Sequence, residues 1–297
     1  MNKITQSRDN YSLLKPRDSS DAFDFFIILT SVFSLILSLL ITFGKVDENS
    51  FGINLFGYLI TPISCVLAIV LLCVKRNDKS LISVLKPTKQ NADFIIATLL
   101  ITIGMLFGLS ELNYYFVDFL QSLGLEPTII TLPEKTPLNV FLTLVFLAIV
   151  PAVFEEIIFR GLIANGFKGL GDALSIILSG LLFSLYHMNP AQTIYQFLVG
   201  CLYALIVVKG GSYVLTICSH LFNNAFIILN EYFFKFAPVG ISKILLTSIG
   251  LICLVAGVIL LLKKPKNKKT ASLKEAFFGI PVGIAVCLFI WIVRLFG

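Results

Sequence analysis

The sequence predicts an all-α protein, a polytopic bundle of about eight or nine transmembrane helices. Three observations carry that prediction. Of 297 residues, 57% are hydrophobic and only 13% charged, with a mean hydropathy of +0.92, whereas soluble domains carry roughly a quarter charged residues. The apolar residues come in long blocks, and a helix crossing a bilayer needs about 20 of them in succession. Lys and Arg crowd into alternate connections between the blocks, as they do in chains whose basic loops stay in the cytoplasm.

In chain order, residues 1–22 are polar and mixed in charge and read as a cytoplasmic tail, and 23–297 read as a single membrane domain. Nine candidate spans lie near 24–44, 55–74, 94–110, 138–167, 172–189, 191–208, 212–233, 243–262 and 276–296. The third and fifth are short, so eight spans with one re-entrant piece is the alternative count. The first block is too long for a signal-peptide core, and no small-residue cleavage site precedes Asp47 and Glu48. The segment 111–137 is the longest outside connection. Its Tyr114, Tyr115, Phe116 and Phe119 suit an aromatic belt at the membrane surface, and Pro127, Pro133 and Pro137 punctuate its end. All six cysteines fall inside spans without C-x-x-C spacing, which reads as apolar packing rather than a disulfide framework or a metal clip.

Placing the N-terminus in the cytoplasm puts 18 of the 23 Lys and Arg residues inside. Outside loops then hold Lys45, Lys135, Lys235 and Lys243, and Arg294 ends the last span. The expected location is therefore the plasma membrane, with the lipid bilayer as the first partner. The net charge of +6 does not point to nucleic acid. The basic run from Lys263 to Lys274 lacks the interleaved aromatics of a single-strand-binding surface and suits a topology anchor against anionic headgroups.

An ionisable side chain inside a bilayer costs about 2.5–3.5 kcal/mol on insertion scales, so such residues need a partner or a task. They concentrate in 138–233, in three pairs spaced four apart, which places each pair on one helix face. The first is Glu156 with Arg160, preceded by Glu155, which points elsewhere on the helix and is left without that neutralising partner. The second is Phe183 with His187. The third is His220 with Asn224, with Asn223 alongside. His187 and His220 are the only histidines in the chain. At 1.5 Å per residue, Glu155 lies about 18 Å from the inner end of its span, His187 about 22 Å and His220 about 12 Å. All three can meet at middle depth, provided the fourth helix continues past Arg160, which then needs Glu156 as its partner.

A carboxylate, two imidazoles and an amide form a hydrolytic set. Glu155 can hold and deprotonate a water molecule, a histidine can orient it or protonate a leaving amine, and Asn224 with His220 can donate to a developing oxyanion. Glu155, His187 and His220 also suit a zinc shell by residue type. The preferred mechanism requires no cofactor.

The motifs E-E-x-x-x-R (Glu155, Glu156, Arg160), F-x-x-x-H (Phe183, His187) and H-x-x-x-N (His220, Asn224) resemble those of the CAAX prenyl protease and bacteriocin-processing superfamily, also called CPBP or Abi. They occur in order, in three spans, within a core of about 138–233. The resemblance implies an intramembrane endopeptidase that opens toward the cytosol and cleaves near the C-terminus of a membrane-associated protein or peptide. It also implies that the first glutamate, here Glu155, activates the water without a metal. Two other readings compete: a non-catalytic bacteriocin-immunity or regulatory membrane protein, and an ion- or proton-coupled transporter. The transporter reading is weakened by the lack of internal repeats.

Overall fold

The computed structural model describes residues 14–44, 51–78, 83–125 and 132–296. The N-terminal part of the expected tail, Lys45, Asp47, Glu48, Lys79 and Pro127 lie outside the described residues. Among those described, the chain is helix and loop throughout. Seven helices are long and apolar enough to cross a membrane: α1 (Pro16–Gly44), α2 (Phe51–Arg76), α3 (Ala92–Ser122), α4 (Pro137–Leu170), α6 (Pro190–Val208), α7 (Tyr213–Phe234) and α8 (Gly240–Leu262). Two apolar helices are shorter, α5 (Asp172–Tyr186) and α10 (Pro281–Phe296), and α9 (Leu273–Phe277) is a single turn or so. The protein is an integral membrane helix bundle. Each expected apolar block became a helix, but α5 has 15 residues and rises only about 22 Å, less than a 30 Å hydrocarbon core.

Two boundaries differ from expectation. The helix α1 starts at Pro16, and Asp18, Ser19, Ser20 and Asp21 are buried rather than part of a free tail. Their partners are distant in sequence. Asp18 pairs with Arg76 at 2.9 Å, Asp21 with Lys75 at 2.6 Å, and Ser19 Oγ donates to the Ile163 carbonyl at 2.9 Å. The outside connection is also shorter, because α3 continues in helix from Ser110 to Ser122. Glu111, which looked like the start of a loop, is held by Lys243 of α8 at 2.6 Å.

Ion pairs gather several helix ends on one face. The start of α1 meets the end of α2, Asp93 at the start of α3 meets Lys264 after α8 (2.6 Å), and Asp172 at the start of α5 meets Lys209 at the end of α6 (2.5 Å). Asn267 binds Asp172 Oδ1 through its backbone N at 3.0 Å and its side chain at 2.8 Å, tying the basic segment after α8 to this face.

Small residues set the closest helix contacts, as is usual where lipid removes the hydrophobic drive for association. A methyl group added at Gly250 of α8 would stand 2.5 Å from Gly108 N of α3, and one at Gly104 would stand 2.5 Å from Leu254 Cβ. In α5 and α6, Gly180 and Gly200 meet so closely that a Cβ at Gly200 would lie 2.8 Å from Gly180 Cα. Of these contacts, the one at Gly200 lies beside the polar core, because the Gly200 carbonyl accepts from Arg160 Nη2.

The helix α4 carries the central part of that core. Thr136 caps it by accepting from Asn139 N at 3.2 Å, with Pro137 at the first turn, a position where a missing N–H costs nothing. The helix then widens into π turns at Leu144–Ile149 and again at Ile157–Ala164. Glu155 and Glu156 end the seven-residue α segment between them. Such π insertions recur at functional sites because they redirect side chains without ending the helix. As expected, the helix runs on past Arg160.

Candidate active site

The two adjacent glutamates have different surroundings. Glu156 is fully buried, and its Oε1 accepts from Arg160 Nη1 at 2.9 Å and lies 2.9 Å from His220 Nδ1. The pairing with Arg160 is the one the spacing demands, and it survives the π turn because the arginine side chain is long. The contact with His220 joins α7 to α4 and has no local signature in the sequence. A carboxylate paired to a guanidinium is an acceptor, so His220 Nδ1 carries the hydrogen and Nε2 is its remaining ring nitrogen.

Arg160 is also completely buried. Its guanidinium carbon lies 4.1 Å from the centroid of the Phe183 ring and 5.1 Å from that of Tyr203, and Nη2 donates to the Gly200 carbonyl at 3.4 Å. A guanidinium is weakly hydrated and stacks on aromatic faces, which suits it to such a site. The close Gly180–Gly200 approach brings that carbonyl within its reach.

Glu155, 7% exposed, has no cationic side chain bonded to it. Tyr186 Oη donates to its Oε1 at 3.4 Å, and Tyr186 Oη is in turn 3.1 Å from Thr61 Oγ1 of α2. Glu155 Oε2 has no hydrogen-bond partner among the described residues. His220 and Arg160 lie within electrostatic reach of Glu155, as they do of His187.

His187 closes the C-terminal end of α5. Its backbone N bonds to the Ser184 carbonyl at 3.2 Å, which leaves the Phe183 carbonyl free of its usual helical partner. The His187 ring takes that carbonyl through Nδ1 at 2.8 Å. Because a carbonyl only accepts, Nδ1 is again the protonated nitrogen and Nε2 the remaining one. Met188 then turns the chain with a φ of +47°, and Asn189 Oδ1 accepts from Ala191 N at 3.0 Å to start α6. The Phe183 ring lies between the histidines, with centroids 4.8 Å from His187 and 6.3 Å from His220.

Asn224 shares a helix face with His220 but is not bonded to it. Its Nδ2 donates to the Leu147 carbonyl of α4 at 3.2 Å, and its Oδ1 accepts from Asn223 Nδ2 at 3.2 Å. The fold thus brings Glu155, Glu156, Arg160, Phe183, His187 and His220 together from α4, α5 and α7, while Asn224, one turn from His220, is partly buried and bonds to Leu147 and Asn223. Sequence reasoning did not single out Tyr186, Thr61, Tyr203, Gly200 or Tyr195. One signal for Tyr186 was available: a buried tyrosine hydroxyl usually has a partner, and this one sits next to His187.

Among the described residues, no group of three His, Cys, Asp or Glu side chains is gathered closely enough to hold a metal ion.

Residues 137–226 match the family model for type II CAAX prenyl endopeptidase Rce1-like proteins. The match supports the CAAX protease family for this segment. The match spans all three motifs, from the first turn of α4 through Asn224 in α7, and it supports a CAAX-type endopeptidase in general terms. No curated protein and no solved structure matches the chain. The helices α1, α2, α3, α8 and α10 lie outside the CAAX protease match, although Thr61 of α2 bonds to Tyr186 inside it.

Proposed function

We propose that this chain is an intramembrane endopeptidase in which Glu155 activates the hydrolytic water. The observation that carries this reading is the division of labour between the two glutamates. Glu156 is tied through Oε1 to Arg160 and His220, whereas the only hydrogen bond to Glu155 comes from the Tyr186 phenol; the second oxygen of each carboxylate has no partner among the described residues. A carboxylate committed to an arginine is a poor base; its neighbour, held only by a phenol, can take a proton.

In the proposed reaction Glu155 removes a proton from water as the water oxygen forms a bond to the scissile carbonyl carbon. The carbonyl electrons move onto its oxygen, and Asn224 donates to the charge that develops there. Collapse of the tetrahedral intermediate breaks the C–N bond, and the proton passes to the departing amine. His187 and His220, each with Nδ1 already engaged, present Nε2 to hold the water or carry that proton. Glu156, Arg160 and Phe183 hold the histidines in place. The mechanism needs no cofactor. The reading extends to a cytoplasmic N-terminus, a plasma-membrane location and a prenylated or otherwise membrane-associated substrate cleaved near its C-terminus.

The test uses the full chain in lipid nanodiscs with a farnesylated peptide ending in a CAAX sequence. Release of the C-terminal fragment is followed by mass spectrometry. Glu155→Gln should abolish release while leaving insertion and melting temperature intact, and metal-free protein should retain full activity. Activity unchanged in both Glu155→Gln and His187→Ala would refute the proposal and favour the non-catalytic immunity or regulatory reading. Activity lost on metal removal and restored by zinc would overturn the metal-free step.

A further inference from the structure

Asn224 stands in a run of hydrogen bonds with only one workable direction. Its Nδ2 donates to the Leu147 carbonyl, which accepts and cannot donate. The amide is therefore turned with nitrogen toward α4 and oxygen toward Asn223. Asn223 must meet that oxygen with its own nitrogen, and does so at 3.2 Å. Asn223 Oδ1 is then turned toward α6, where Tyr195 Oη donates to it at 3.3 Å. Reversing either amide would set two oxygens or two N–H groups against each other. The Asn224 amide is thus held from both ends, its nitrogen by the Leu147 carbonyl and its oxygen by Asn223, which Tyr195 in turn engages.

Asn224 Nδ2 has two hydrogens, and Leu147 takes one. A free asparagine amide would turn over readily and offer its oxygen to the site half of the time. An oxygen facing a developing oxyanion repels it, so an oxyanion donor works only when its orientation is set in advance. Asn223 is 6% exposed, bonded to both Tyr195 and Asn224, and occupies an unspecified position of H-x-x-x-N.

We propose that Tyr195 and Asn223 are positioning residues for the reaction: their relay holds the Asn224 amide so that its second Nδ2 hydrogen faces the scissile carbonyl oxygen. The proposal rests on the reading of Asn224 as the oxyanion donor, and the experiment separates the two. Asn223→Asp keeps the size and still accepts from Tyr195, but as a carboxylate it cannot donate to Asn224 Oδ1. Tyr195→Phe removes the first donor alone.

With the full chain and the farnesylated CAAX peptide, Asn223→Asp should lower kcat at least tenfold and Tyr195→Phe about threefold, with KM within about twofold in both. Asn224→Ala should cost about a hundredfold or more, the usual effect of deleting an oxyanion donor. In the Asn224→Ala background, adding Tyr195→Phe should change the residual single-turnover rate by less than about twofold, because the relay acts only through Asn224. A structural role would lower the rate by the same factor in both backgrounds. Where Asn223→Asp does not fold, the Tyr195→Phe comparison carries the test. Wild-type kcat in Tyr195→Phe, with Asn224→Ala inactive, overturns the relay and leaves the oxyanion reading intact. Wild-type kcat in Asn224→Ala removes that reading, and the relay with it.

Discussion

Replacing Arg160 with methionine should be among the most damaging single changes in this protein, and restoring charge balance should undo much of the damage. The substitution leaves the aliphatic bulk roughly in place. It removes the bond to Glu156 Oε1, the donor to the Gly200 carbonyl, and the cation that rests on Phe183 and Tyr203. Glu156 and Arg160 are both fully buried, and removing one partner of a buried ion pair costs about 3–5 kcal/mol, chiefly because the other charge is stranded. His220 Nδ1 remains beside Glu156 and keeps its hydrogen bond to the carboxylate. In Arg160→Met with Glu156→Gln no charge is stranded, and the double variant should recover about 2–3 kcal/mol relative to Arg160→Met alone. Thermal unfolding in detergent, followed with a thiol-reactive dye that reports exposure of buried Cys65 and Cys287, measures all three variants. Equal melting temperatures for Arg160→Met and the double variant would refute the argument that the stranded carboxylate is the main cost.

Three further outcomes follow from the geometry. Tyr186→Phe should lower kcat about threefold to tenfold with KM unchanged, a little less than the usual loss of a hydrogen bond to a charged group because the bond is long at 3.4 Å; peptide-release kinetics check it. Gly200→Ala should destabilise by about 1–3 kcal/mol, the ordinary cost of overpacking, since its Cβ would stand 2.8 Å from Gly180 Cα. It should also lower activity by shifting the carbonyl that Arg160 binds, and melting and kinetics measured together test both effects. Gly283→Ala should cost about 1 kcal/mol, because the new methyl group would stand 2.6 Å from Asp24 Oδ1, which caps α10 by accepting from Gly283 N at 2.8 Å; the melting temperature reads it directly.

The helices were legible in the sequence because span recognition rests on the summed apolarity of some twenty residues, a signal that survives local exceptions. The misplaced boundaries share one cause. Asp18, Asp21 and Glu111 look like loop residues by composition, yet each is neutralised by Arg76, Lys75 or Lys243, which lie on other helices. The site divides in the same way. Glu156–Arg160 and Phe183–His187 lie four residues apart, so helix periodicity alone brings them together. His220 with Glu156, Tyr186 with Glu155 and Asn224 with Leu147 are contacts between helices, and local spacing holds no information about them. Periodicity placed Asn224 beside His220, but it could not show that its amide is committed to α4 and to Asn223.

The last helix, α10, carries no motif, yet it is fastened at both ends. Asp24 of α1 holds its start, while Trp291 Nε1 donates to Thr193 Oγ1 at 2.8 Å and Arg294 Nη1 to the Met188 carbonyl at 3.3 Å. Met188 follows His187 directly, so α10 works as a strut between the opening turns of the first helix and the bend that aims an imidazole. The stretch carrying all the recognisable chemistry is therefore not a separable machine. Excised alone, it would keep its glutamates and histidines but lose the brace that fixes where one of them points.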